Sequence, residues 1–167
     1  NGMETDVDCG GPTCADCLTG KACASPSDCV SLVCSGNPLV CQAPSCMDGV
    51  KNQDETDVDC GGAVCNDCAN GKLCVGAGDC MSQVCSGNPP MCQVPTCSDS
   101  VKNGNETGVD CGGATCPSCV NGQPCNANAD CMSMFCNAAK LCAMPACNDM
   151  AKNGMETDVD CGGATCP

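Results

Sequence analysis

Eight cysteines recur along the chain with a period of about 51 residues. Self-similarity at a fixed period of this size is typical of a tandem array, in which each unit contacts mainly its neighbours. The period divides the chain into four repeats, of which the first lacks its beginning and the last is partial: residues 1–45, 46–96, 97–146 and 147–167. We therefore predict a linear, rod-like array of small repeats, and we expect this chain to be a segment of a longer one.

Cysteine bridges, rather than an apolar core, are predicted to stabilise each repeat. The chain has 26 cysteines in 167 residues and a single aromatic residue, Phe135. That cysteine content exceeds the roughly 8–10 % that is typical of a disulfide scaffold, and a unit of about 50 residues is too small to rely on hydrophobic burial alone. Four bridges per repeat would contribute on the order of 10 kcal/mol. Because disulfides persist in oxidising surroundings, we predict an extracellular or cell-surface protein.

Each repeat has two parts, which in the second repeat are an acidic sub-block from Cys46 to Cys68 and a knotted sub-block from Gly71 to Cys92. Spacing alone does not decide how their cysteines pair. We predict that each sub-block closes on itself, first cysteine to third and second to fourth, with a local bridge between Cys65 and Cys68 as the alternative. The predicted bridges are Cys23–Cys34, Cys29–Cys41, Cys46–Cys65, Cys60–Cys68, Cys74–Cys85, Cys80–Cys92, Cys97–Cys116, Cys111–Cys119, Cys125–Cys136 and Cys131–Cys142.

Secondary structure is predicted to be sparse, with loops, short β-hairpins and no helices of note. The recurring Asn-Gly pairs favour tight turns. The stretch from Glu55 to Cys60 alternates strictly, which predicts a short strand. The segment between Cys136 and Cys142 is one residue shorter than its counterparts, and such changes are tolerated best in exposed loop tips.

The acidic sub-block is predicted to bind Ca²⁺. On a strand, Glu55, Asp57 and Asp59 would share one side, and a turn at Gly49 would return Asp48 to the same place. Oxygen ligands without imidazole select a hard cation. The predicted ligands are Asn1, Glu4, Asp6 and Asp8; Asp48, Asn52, Glu55, Asp57 and Asp59; Asp99, Asn103, Glu106 and Asp110; and Asp149, Asn153, Glu156, Asp158 and Asp160. The alternative is a solvated acidic turn whose side chains cap backbone amides.

Charge and composition exclude several classes of function. The net charge is −14, with six lysines and no histidine, so we expect neither a nucleic-acid partner nor membrane insertion of this segment. Without histidine as a base or arginine to bind an anion, we do not expect an enzyme. One glycosylation sequon, at Asn105, predicts a glycoprotein.

Iron–sulfur chemistry is an alternative use of the cysteines. The spacing Cys9-x4-Cys14-x2-Cys17, followed by Cys46, matches plant-type [2Fe–2S] proteins, and a string of clusters would make an electron-carrying filament. Cluster binding leaves the knotted sub-block unexplained. Structural zinc would need a second Cys-x2-Cys pair, which the other intervals do not provide. Disulfides are the favoured interpretation.

The motif KNGxETDVDCGGxxC at Lys152–Cys166, with a variant at Lys51–Cys68, resembles cysteine-rich tandem repeats of large secreted or surface proteins of bacteria and protists. The acidic stretch is similar, more loosely, to Ca²⁺-binding elements of thrombospondin type 3 repeats, and the knotted sub-block to small knotted extracellular domains. The first resemblance implies a stalk, fibre or adhesin shaft. We therefore expect a structural component of an extracellular filament or cell-surface stalk, whose partners are further copies of the repeat and neighbouring rods. The alternative is an adhesive module that presents variable loop tips.

Overall fold

The computed structural model describes residues 2–164 and Cys166. Regular structure in this part of the chain is limited to two short hairpins and three single turns of 3₁₀ helix, Pro26–Asp28, Ala77–Asp79 and Asn128–Asp130. One hairpin pairs β1 (Cys34–Ser35) with β2 (Val40–Cys41), and the other pairs β3 (Cys85–Ser86) with β4 (Met91–Cys92), both antiparallel. The predicted fold class, a small disulfide-rich protein of loops and short hairpins, is confirmed.

Twelve disulfides cross-link the chain and indicate an oxidising, extracellular or secreted environment. The ten bridges that we predicted are all present, first to third and second to fourth in each sub-block. The local bridge between Cys65 and Cys68 does not form. Two further bridges, Cys9–Cys17 and Cys147–Cys166, repeat the same pattern in the partial copies, while Cys14 and Cys161 are thiols.

The core of each repeat consists of disulfide sulfur. In the second repeat Cys68 and Cys80 are 0 % exposed, and the cluster that they form contains only cysteines. The same cysteine-only cluster recurs in the first and third repeats. Large apolar side chains lie outside it, and Met47 and Val75 are each 87 % exposed. The covalent network therefore takes the place of a hydrophobic core, as expected for so small a unit.

The chain divides into two compact units, Asn1–Gln93 and Val94–Pro167. The first unit contains the first two predicted repeats almost completely, and the second contains the third repeat and the partial fourth. The division falls in the short Pro-containing segment that joins the second repeat to the third.

The tip of the knotted sub-block is an exposed loop. Between β1 and β2 the residues from Ser35 to Leu39 are all exposed. The shorter loop of the third repeat closes differently, because Oδ1 of Asn137 accepts hydrogen bonds from the amides of Ala139 (2.9 Å) and Leu141 (3.1 Å). A side-chain cap compensates for the missing residue.

The strand predicted from Glu55 to Cys60 is wrong. Asp57 and Cys60 exchange backbone hydrogen bonds of 3.3 and 3.2 Å across a tight turn. Asp59 has φ +59° at its corner, a conformation that Asp tolerates better than most residues. Glu55 and Thr56 are both buried, whereas neighbours on a strand would face opposite sides. The apparent alternation therefore reflects the separate roles of residues in a turn.

Candidate functional site

Three of the predicted ligands meet in one turn of the acidic sub-block. Asp48 accepts hydrogen bonds from the amides of Ser45 (2.7 Å) and Val50 (3.0 Å). The Nδ2 group of Asn52 donates to Asp48 Oδ2 at 3.0 Å, and the amide of Asn52 donates to Glu55 Oε2 at 3.1 Å. Burial raises the pKa of Asp48, but the bonds from Asn52, Ser45 and Val50 outweigh it and hold that pKa below its usual value.

One oxygen in this turn has no hydrogen-bond partner. Oδ1 of Asn52 is buried and unpaired among the described residues, and Oδ1 of the equivalent Asn153 is in the same condition. The Asn153 side chain is buried, with 7 % exposure. A buried acceptor without a partner is unfavourable. Together, this amide oxygen and the two carboxylates of Asp48 and Glu55 are the oxygen ligands that a hard cation prefers.

Asp59, which also belongs to the predicted set, holds the backbone at Gly49 in the same turn. Its two carboxylate oxygens accept the amide hydrogen of Gly49 at 2.9 and 3.2 Å. Asp110 and Asp160 make the equivalent bonds to Ser100 and Met150. The predicted reversal of the chain at Gly49 is present, with φ +77°.

Asp57 lies apart from this turn and connects the two sub-blocks. Its Oδ2 accepts a hydrogen bond from the amide of Leu73 at 2.7 Å, and the Lys72 ammonium lies 3.6 Å from its Oδ1. The Leu73 amide is the main reason that the pKa of Asp57 is lowered, although burial opposes it. Asp6 makes the same contacts with Ala22 and Lys21.

The third repeat lacks this connection because Gly108 replaces the aspartate. Gln123 stands there where the first two repeats have lysine, so the carboxylate and its cationic neighbour are absent together. In a metal site this replacement would remove one carboxylate ligand. The contacts of Asp57 indicate instead that the replacement removes a link between sub-blocks.

The first, partial copy of the set is only partly assembled. Glu4 contacts Cys14, Asp6 binds the knotted sub-block, and Asp8 is exposed at a left-handed corner with φ +57°. Asn1 lies outside the described residues. In the fourth copy Asp158 accepts the amide hydrogen of Val159 at 2.8 Å, as Asp57 does from Val58.

Sequence reasoning missed a recurring aspartate, which is Asp28, Asp79 or Asp130 in the three knotted sub-blocks and is buried in the first and third of them. Asp28 Oδ1 accepts the amide hydrogen of Gly11 at 3.0 Å from the Cys-Gly-Gly segment. Its Oδ2 accepts those of Ala24 (2.8 Å) and Ser25 (3.0 Å) at the start of the 3₁₀ turn. These amides, that of Ala24 first, lower the pKa of Asp28. The recurrence of Asp-Cys in all three sub-blocks was the available signal.

A glutamate touches a cysteine sulfur in every copy of the acidic sub-block. Oε1 of Glu55 lies 3.3 Å from Sγ of Cys65, and the same pair of atoms is 3.4 Å apart for Glu106 and Cys116. The distance is 3.2 Å for Glu156 and Cys166, and 3.5 Å for Glu4 and Cys14. Bridged sulfur carries no hydrogen, so only the Cys14 thiol can donate a hydrogen bond to its glutamate.

The remaining predicted features have simple placements. Asn105 of the sequon is exposed, and its glycosylation stays a prediction. Cys9 and Cys17, which with Cys14 match iron–sulfur spacing, are bridged to each other, so they supply no thiolates in this state. No described helix is long and apolar enough to span a membrane.

No protein-family model, curated protein or solved structure matches this chain. The function is therefore argued from the residues themselves.

Proposed function

We propose that this chain is part of the shaft of an extracellular filament or cell-surface stalk, in which disulfide-closed repeats act as stiff spacers. The observation that carries the proposal is that recurring polar side chains bind neighbouring parts of the chain to one another. Asp28 and Asp57 hold the two sub-blocks together, and Asp48 holds the turn between repeats. Residues that recur with the period serve the cohesion of the array.

The junction between the first two repeats supports a stiff connection. Asn52 donates a hydrogen bond of 2.9 Å from Nδ2 to the backbone carbonyl of Ser31 in the preceding repeat. The intervening segment contains Pro44, which favours extended and restricted backbone. One direct bond across a short proline-containing link restricts the angle between the two repeats.

Ca²⁺ is proposed as a ligand of the same turn. Asp48, Asn52 and Glu55 would hold it, because they place two carboxylates beside an amide oxygen that has no other partner. That oxygen would coordinate the ion through a lone pair, and the bound ion would stiffen the junction to which Asn52 belongs. Asp57 is not included in this set, since its carboxylate lies apart from this turn and contacts Leu73 and Lys72 of the knotted sub-block.

Small-angle X-ray scattering on chains with two, four and six repeats tests the spacer. The maximum dimension is expected to increase by a constant increment per repeat, because each repeat contacts mainly its neighbours. A dimension that grows as the cube root of chain length would mean that the repeats collapse into a globule. That result would remove the shaft from consideration.

Calorimetric titration with Ca²⁺ tests the ion separately. Asn52→Ala removes one amide oxygen and is expected to reduce the stoichiometry by one site. The control is Ala at Asn66, an exposed asparagine, which should leave the stoichiometry unchanged. Absence of binding heat in the unsubstituted chain, or equal stoichiometry in both variants, would exclude the proposed ligands.

A further inference from the structure

An open cavity lies beside the outer bridge of the acidic sub-block, by which we mean Cys97–Cys116 and its equivalents. In the third repeat the cavity has a volume of about 200 Å³, and Pro95, Asn103 and Glu106 line it together with both cysteines. In the partial fourth repeat a cavity of about 330 Å³ occupies the equivalent position beside Cys147–Cys166 and Glu156. A volume of this size admits a molecule of a few heavy atoms.

The outer bridge is the more accessible type of bridge in the repeat. Cys97 and Cys116 are both partly exposed, whereas every other bridge of the third repeat has at least one buried cysteine. In the partial fourth repeat Cys147 is exposed and Cys166 is buried. Because thiol–disulfide exchange requires a thiolate to reach a bridge sulfur, access favours reaction at the outer bridges.

A glutamate stands on the wall of each cavity against the sulfur. Oε1 of Glu106 is 3.4 Å from Sγ of Cys116, while its Oε2 is held by the amides of Asn103 (3.3 Å) and Asp110 (3.2 Å). The two amide bonds fix the carboxylate in place. A negative charge at this distance repels an incoming thiolate, and the partly buried position screens that repulsion less than bulk water would.

We propose that the cavity is a reaction site for small thiols, and that its glutamate selects thiols with a positive charge over thiols with a negative one. In the reaction a thiolate attacks one sulfur of the outer bridge and forms a mixed disulfide with it. The bond to the other sulfur breaks, and that cysteine leaves as a thiolate and takes a proton from water. An ammonium group on the thiol pairs with Glu106 and offsets the repulsion, whereas a second negative group adds to it.

The inference does not depend on the proposed shaft, since it concerns the chemistry of one bridge. The contact between glutamate and sulfur recurs in the first repeat, where Glu4 Oε1 lies 3.5 Å from Sγ of Cys14.

The test compares cysteamine, which is cationic, with thioglycolate, which is anionic, at equal thiolate concentration and with a chelator present, because Ca²⁺ on Glu106 would neutralise its charge. Newly released thiols are trapped by alkylation and assigned to each bridge by peptide mass spectrometry. In the unsubstituted chain, cysteamine is expected to open the outer bridges about tenfold faster than thioglycolate, relative to an unstructured disulfide peptide. That preference should decrease with added salt. An equal rate for the two reagents, or earlier opening of the core bridge Cys131–Cys142, would overturn the proposal.

Glu106→Gln provides the matched variant. It is expected to abolish the preference at Cys97–Cys116 and to leave it unchanged at Cys46–Cys65, which retains Glu55 as an internal control. Acceleration by the same factor for both reagents would mean that the substitution loosens the structure without any effect of charge, and it would overturn the proposal. If this variant does not fold, the ratio measured on the unsubstituted chain still decides the outcome.

Discussion

Asn52 of the second repeat donates a hydrogen bond of 2.9 Å to the backbone carbonyl of Ser31 in the first. The same amide group also binds Asp48, so one side chain connects the preceding repeat to the turn that opens the next. The contact therefore joins the two repeats through space as well as along the backbone.

Replacement of Asn52 by Ala should loosen the junction without opening any bridge. The loss of these two bonds is expected to cost about 1–2 kcal/mol of local stability. Amide hydrogen exchange is the direct measurement, and faster exchange is expected near Ser31 and in the turn from Asp48 to Asn52. Asn66→Ala should leave exchange there unchanged. Equal protection in both variants would show that the Ser31 contact does not restrain the junction.

Asp79 is expected to be essential for the contact between sub-blocks. Its carboxylate accepts hydrogen bonds from the amides of Gly62 (3.1 Å), Val75 (2.7 Å) and Gly76 (3.0 Å). Asp79→Ala leaves these amides without their acceptor, which should reduce the free energy of unfolding by about 1–3 kcal/mol. Thermal unfolding with intact bridges measures the loss. The exposed Asp67 is the control position, and a similar effect of Asp67→Ala would mean that net charge, not the contact, is responsible.

Acid should destabilise the fold through the same aspartates. Backbone amides, those of Ala24, Val75 and Asn126 first, lower the pKa values of Asp28, Asp79 and Asp130 from 3.8. A lowered pKa in the folded state contributes stability that is present above the unfolded value and is lost as the pH falls through the folded value.

Melting temperatures measured between pH 7 and pH 2 should therefore be nearly constant down to about pH 5 and should decrease below pH 4. The opposing effect is relief of self-repulsion, since the net charge is −14 at pH 7. A melting temperature that rises on acidification would show that this relief exceeds the contribution of the amide-bound carboxylates.

A side chain at Gly61 is expected to destabilise the fold through a steric collision, in addition to the cost of its left-handed backbone conformation. It has φ +76°, and an added Cβ would collide with Oγ1 of Thr56. Gly71 has φ +86° with open space around it. Gly71→Ala should therefore cost only the left-handed conformation, about 1–2 kcal/mol, and Gly61→Ala at least about 2 kcal/mol more. Denaturant unfolding compares the two, and equal losses would contradict the collision.

The spacing of the cysteines predicted the fold class because the bridges are local and the sub-blocks are small. The alternation of residue types from Glu55 to Cys60, by contrast, wrongly predicted a strand. These residues form a turn in which each side chain makes its own contacts. The contacts of Asp57 with Leu73 and of Asp28 with Gly11 span 16 and 17 residues. These contacts form because the bridges fold the chain back on itself, and no local sequence pattern predicts them.

Counting thiols before and after reduction tests most directly whether bridged sulfur holds this chain together. Alkylation of the native chain should modify only Cys14 and Cys161, and reduction should expose all 26 cysteines with loss of the folded NMR spectrum. Additional reactive thiols in the native chain, bound transition metal, or a folded spectrum that survives complete reduction would contradict it.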